Sequence, residues 1–228
     1  MELVHRGWDD FWAVLFRVKH RQSIPGIDHY DQLLVEFCLD VLELQSGQEV
    51  LDIACGAGTH CIEFAKHGLK VTGFDISRSL IEVAVQNIES ANVKADLFTA
   101  DMREIDLINQ FSGAVILSHS FGFFNHEENK TVLAKSFQAL QKNGRLLLDL
   151  VNPYNLPRFQ KTWVKIDSGY LLIEPHVLDA QVGVLRGRPA TFIDTEANTI
   201  IMANADAMAN NDIRMYTAQD IREMLEEV

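Results

Sequence analysis

Cysteine is scarce in this 228-residue chain, and the three present, Cys38, Cys55 and Cys61, contain no CxxC pair. An odd, scattered set excludes a disulfide framework, so reduced thiols are expected. The eight histidines show no HExxH or comparable ligand spacing, which leaves no expected metal site. Long apolar runs are also lacking. None approaches the roughly 20 residues needed to cross a bilayer, and the opening MELVHRGWDD has no apolar core of a signal peptide. A cytoplasmic protein without a membrane partner is expected. Basic residues are outnumbered, 20 Lys and Arg against 32 Asp and Glu, for a formal net charge of −12. That balance repels phosphate backbones and disfavours nucleic acid as a partner. The nearest basic cluster, Arg17, Lys19, His20 and Arg21, is short and reads as a solvated helix face.

What is present is the composition of a globular protein, 47% hydrophobic and 23% charged. Trp8, Phe11, Trp12, Leu15 and Phe16 fall on one helix face, and a second helix is expected from Tyr30 to about Leu44, after Pro25-Gly26. From there short apolar runs alternate with helical patterns. EVLDIAC precedes a helix over 59–67 that stops at Gly68, and LKVTGFDIS precedes a helix over 79–90. DLFTAD and GAVILSHS follow, then a helix over 129–141 and GRLLLDLV. Such alternation predicts an α/β fold, a doubly wound and mostly parallel sheet over 45–153. Residues 1–44 read as an N-terminal helical cap. The runs TWVKI, GYLLIEP, VGVLRG, ATFID and TIIMA make 154–210 a late antiparallel β segment over the substrate. Residues 211–228 hold a final core helix that Thr217 is placed to cap.

Open α/β sheets bind ligands at the carboxyl ends of their strands. The stretch LDIACGAGTH, 51–60, supplies the first such turn, with Gly56 and Gly58 able to take positive φ and let a ligand approach. Asp75 ends the next strand, where a carboxylate can accept from a ribose diol. The dinucleotide fingerprint G-x-G-x-x-G fails here, because Cys61 holds the third glycine position. Asp52 lies in the approach to the turn, where it would repel a pyrophosphate and attract an ammonium. Asp101, at the third strand end, is an acceptor suited to an exocyclic amine. Three acids at successive strand ends suit a cationic, donor-rich nucleoside such as S-adenosylmethionine (SAM), and not NAD.

Asp52-Ile53-Ala54-Cys55-Gly56-Ala57-Gly58 resembles the first motif of class I SAM-dependent methyltransferases, with Ala54 replacing its first glycine. Phe74-Asp75-Ile76-Ser77 resembles the second motif, and Ala100-Asp101-Met102 the adenine-contacting one. Ser118-His119-Ser120-Phe121-Gly122 resembles the loop after the fourth strand, and Gln141-Lys142-Asn143-Gly144-Arg145 the turn before the fifth. The resemblance implies that Asp52, Ala54, Gly56 and Gly58 cradle the methionine end and that Asp75 holds the ribose. Asp101 and Met102 would read the adenine, Ile76 would pack on its face, and Ser118 and His119 would lie beside the departing methyl.

Methyl transfer needs alignment more than covalent chemistry, with a general base only where the acceptor must lose a proton. His119 is the candidate base, with simple loop packing as the other reading. Phe121 or Phe123 is expected to wall an acceptor pocket, with Tyr154 a further candidate. Asn152-Pro153-Tyr154 follows the fifth strand, not the fourth, so it reads as a loop and not as the N-P-P-Y motif of base-amine methylation. No cysteine is placed for covalent cytosine chemistry. A small-molecule acceptor is therefore expected, with an RNA or protein methyltransferase and a non-catalytic SAM-binding module as the other readings. Members of the family close the sheet with two strands after the last helix, where this chain reads Glu226-Glu227-Val228. Three expectations follow for the exposed edge: completion by the late strands, pairing with a second subunit as a homodimer, or truncation.

Overall fold

The computed structural model describes residues 2–6, 27–154, 162–166, 170–174, 176–187, 191–194, 199–203 and 212–228. The strands are β1 Glu2–Arg6, β2 Glu49–Ile53, β3 Lys70–Asp75, β4 Asp96–Thr99, β5 Phe111–Ile116 and β6 Leu140–Leu148. The late strands are β7 Thr162–Ile166, β8 Tyr170–Glu174, β9 His176–Asp179, β10 Val184–Gly187, β11 Thr191–Asp194, β12 Thr199–Ala203 and β13 Ile213–Arg214. The helices are α1 Ile27–Leu42, α2 Thr59–Lys66, α3 Arg78–Ser90, α4 His126–Ala139 and α5 Ala218–Glu226.

The central sheet runs β4-β3-β2-β5-β6 with every pair parallel. Its inner strands are buried on both faces, which is why their sequences are nearly continuous apolar runs. Val50, Val71 and Val115 pack toward Val35 and Cys38 of α1, Phe64 of α2 and Ile81 of α3. Leu51, Ile53, Phe74 and Ile116 pack toward Val132 and Leu133 of α4 and Ile221 and Met224 of α5. Strand order reverses between β2 and β5, and that switch point opens a crevice at the carboxyl ends.

Local signals set the helix starts. The Ser77 hydroxyl accepts from Leu80 N at 3.1 Å. Asn125 and Glu128 form a reciprocal capping box on α4. Thr217 and Asp220 do the same for α5, as the sequence indicates. Gly68, at φ +82°, ends α2 in the left-handed conformation expected of it.

The late strands form two small sheets, β1-β12-β11-β8-β7 and β13-β10-β9. They are antiparallel except that β1 runs parallel to β12, pairing Glu2–Arg6 with Thr199–Ala203. Residues 2–6 thus correct the all-helical reading of 1–44: they are a strand of the late sheet. The expected helix through Trp8, Trp12 and Phe16 lies outside the described residues. Strand β6 also starts earlier than the sequence suggests, at Leu140, with a shift of register against β5 between Phe111 and Gly113. It is an edge of the central sheet among the described residues, and Leu146, Leu148 and Leu150 line an apolar groove there with Leu225 and Val228.

The loop after β5 is fastened to β13. Arg214 N donates to Gly122 O at 2.8 Å, and a Cβ at Gly122 would sit 2.3 Å from the Arg214 carbonyl oxygen, at φ +109°. Gly47, at φ +89°, faces open space. Gly122→Ala should therefore lower stability by about 2 kcal/mol or more, against about 1 kcal/mol for Gly47→Ala, as read by urea unfolding.

Candidate functional site

The turn between β2 and α2 places its backbone under the crevice. Cys55 N donates to Phe74 O at 2.9 Å and Gly58 N to Cys55 O at 2.9 Å. Ala54, Gly56 and Gly58 all take positive φ, at 60°, 55° and 77°. Ala54 is thus strained where a glycine would not be. A Cβ at Gly56 would meet nothing within 4 Å, whereas one at Gly58 would lie 3.1 Å from Ala84 Cβ. Gly56 therefore borders open space where a ligand can approach, and Gly58 holds α2 against α3.

Asp75 is tied to both sides of that space. Its Oδ2 accepts from Gly56 N at 3.0 Å and its Oδ1 from Ser77 N at 2.9 Å. These bonds fix the carboxylate at the carboxyl end of β3, the position expected of an acceptor for a ribose diol. Ile76 beside it is 54% exposed, an apolar side chain left at the crevice edge.

Asp52 is only 1% exposed, and Cys61 Sγ donates to its Oδ2 at 3.2 Å. Burial pushes its carboxyl above the usual range and the charge of Asp75 adds to this, while His60 and Cys61 pull it back. Among the described residues no lysine or arginine pairs with it. A buried carboxylate left in that state suits an incoming cation.

Asp149, just past β6, completes the far side. Its Oδ2 accepts from Ser118 N at 3.0 Å, and its Oδ1 stands 3.8 Å from His119 Nε2. Ser118 and His119 hold successive positive φ values of 54° and 60°, a local strain of about 1–3 kcal/mol each, and Asp149 anchors that strained loop.

Asp101 is engaged differently from the sequence expectation. Arg103 donates to it from Nε at 3.0 and 3.1 Å, from Nη2 at 2.6 Å and from its backbone N at 2.9 Å. An exocyclic amine at Asp101 would therefore share the carboxylate with Arg103. The same guanidinium donates to Glu128 at 2.6 Å and lies 4.1 Å over the Phe124 ring, joining the loop after β4 to the loop before α4.

The comparisons with known proteins bear on this geometry. Residues 50–144 match the family model described as a methyltransferase domain. A carboxy-S-adenosyl-L-methionine synthase of Shewanella loihica is 29% identical over 147 residues, 62% of this chain and 59% of that protein. A tRNA (uracil(54)-C(5))-methyltransferase of Pyrococcus furiosus is 44% identical over 106 residues, 43% of this chain and 26% of that one. The solved structure of SAM-bound CalS10, an amino pentose methyltransferase from Micromonospora echinaspora, superposes with a TM-score of 0.68 at 16% identity, over 93% of this chain and 87% of that one. Over residues 50–144 this chain carries a methyltransferase domain. It spans about half the length of the curated relatives it matches.

Within the methyltransferase domain the structure brings Asp52, Ala54, Gly56, Gly58, Asp75 and Ile76 together around one crevice, with Ser118 and His119 in the loop after β5. Met102 is half-buried on the Asp101 loop. The cradle fits the family's cofactor: open backbone at Gly56, an acceptor for a diol at Asp75, and a buried anion at Asp52. Phe121 is a correction. It is 2% exposed and packs 5.6 Å from the Tyr216 ring, so it belongs to the core and walls no pocket. Tyr154 is 84% exposed, while Phe123 is half-buried.

Sequence reasoning passed over Asp149, although an acid ending the fifth strand repeats the signal read at Asp75. It also passed over Arg103, adjacent to a motif already singled out.

Arg103 holds the Asp101 carboxyl below its usual range, by side-chain hydrogen bonds first and then its backbone N–H and charge. A depressed carboxyl stabilises the fold above its unfolded pKa, and that contribution is lost as pH falls through the folded one. Arg103→Met should therefore lower Tm by roughly 4 °C or more at pH 7. The gap to the parent should close below about pH 3.9, as read by thermal melts across pH.

Proposed function

We propose that this protein transfers the methyl group of SAM to a small-molecule acceptor at N, O or C. The observation that carries the reading is the buried Asp52 carboxylate, without a lysine or arginine partner among the described residues, beside the open Gly56 turn and Asp75. SAM supplies an electrophilic methyl on a sulfonium. The residues proposed to hold it are Asp52, Ala54, Gly56 and Gly58 at the methionine end, Asp75 at the ribose, Ile76 and Met102 at the base, and Ser118 near the sulfur.

The protein's part is to align and to exclude water. His119 is the group placed to take a proton from an acceptor that must lose one. Asp149 orients that imidazole from 3.8 Å, an ion-pair distance that substrate closure can shorten to a hydrogen bond. Phe123 is the proposed apolar wall. The likeness to an amino-sugar methyltransferase supports a small acceptor, as does the acidic balance of −12, which opposes a polyanion. The tRNA-modifying relative favours RNA as a second reading.

Transfer of labelled methyl from SAM to panels of small amines, alcohols and phenols, run beside total tRNA, tests the reading. Label in the small-molecule fraction is expected, and label confined to tRNA would select the second reading. His119→Gln should lower turnover by at least about tenfold while leaving calorimetric SAM affinity within about twofold.

A further inference from the structure

His60 is the second residue of α2, and the functional reading gives it no task. It is 7% exposed, and its Nε2 makes no hydrogen bond, although Asp31 Oδ1 of α1 stands 3.5 Å away. Two further carboxylates act on the ring, Asp52 from β2 and Asp149 from beyond β6. Negative charge from three elements of the fold thus bears on one buried imidazole, with Asp31 in contact, and the other two acids border the proposed cofactor crevice. Cys61, next in the helix, faces Asp52 as a neutral donor.

Resting on the SAM reading above, we propose that His60 is the built-in countercharge of this cluster and sets cofactor affinity by competing with the ammonium and sulfonium of SAM for the same carboxylates. With the imidazolium in place, Asp31, Asp52 and Asp149 present one negative charge fewer to an arriving cation. With neutral imidazole they present the full set. Burial alone pulls the imidazole toward its neutral form, but Asp31, Asp52 and Asp149 more than reverse this, so its protonation is favoured. A bound cation opposes protonation in turn, and the two effects are equal by linkage. Binding of SAM must therefore release protons from His60 to the buffer, and SAM must bind more tightly as pH rises through the titration of the ring.

Calorimetric titration of the whole chain with SAM between about pH 5.5 and 7.2, where the α-ammonium of SAM stays charged, in two buffers of different ionisation enthalpy, tests this. Affinity should rise on the order of tenfold across that range, with net proton release on binding. His60→Gln should bind SAM with flat pH dependence and no release over the same range. Asp31→Asn, which leaves the ring in place, should move proton release to lower pH. Flat or falling affinity in the parent, absent proton release, or unchanged release in His60→Gln would overturn the proposal while leaving the SAM reading standing. Failure of SAM to bind at any pH would overturn both.

Discussion

The structure turns on a carboxylate buried, among the described residues, without a lysine or arginine to hold it. Asp52 sits inside a parallel strand, almost fully covered, with a thiol donor and a nearby imidazole as its compensation. Removing one charge from water costs several kcal/mol in a protein interior unless a partner is found. The surrounding chain limits that cost: Cys61 donates to the carboxylate, and the His60 imidazole adds positive charge whenever it is protonated. The remaining deficit is an attraction for a cation at the carboxyl end of β2. The Gly56 turn leaves that end open, and Asp75 stands across it.

Backbone strain is also present beside that carboxylate, at the switch point of the sheet. Ala54, Ser118 and His119 hold left-handed conformations without being glycine, and all three lie at the ends of β2 and β5, where strand order reverses. Long-range bonds fix the turn and the loop that hold them. The turn holding Ala54 is pinned by Cys55 N to Phe74 O, and Ser118 by its bond to Asp149. A rigid, doubly covered sheet supports such strained turns, because moving them would disturb packing on two faces. The Arg103 junction extends the same rigidity to the loop before α4, which shares its sheet edge with the candidate acceptor side.

Much of this was legible in the sequence, and the limit was distance along the chain. The glycine turn, the acid at the end of β3, the exposed apolar residue after it and the caps of α3 and α5 are written in neighbouring residues. What escaped depended on contacts between remote segments. Phe121 looked like a pocket wall until Tyr216 was seen to cover it. The Arg103 guanidinium that Asp101 holds was likewise not evident from the motif. The strand over 2–6 is short, and its partner lies almost two hundred residues on, so no local period could announce it. His60 reads as an ordinary polar residue of a helix. Only the approach of Asp31 from α1, with the charges of Asp52 and Asp149 acting on the ring, singles it out.

The central claim is that strand-end carboxylates select a cationic nucleoside. Comparing the affinity of SAM with that of an analogue lacking only the amino-acid ammonium tests it most directly. The account predicts that the analogue binds at least about tenfold more weakly, in keeping with a charge-assisted contact of roughly 1.5–3 kcal/mol. Equal affinities would contradict it.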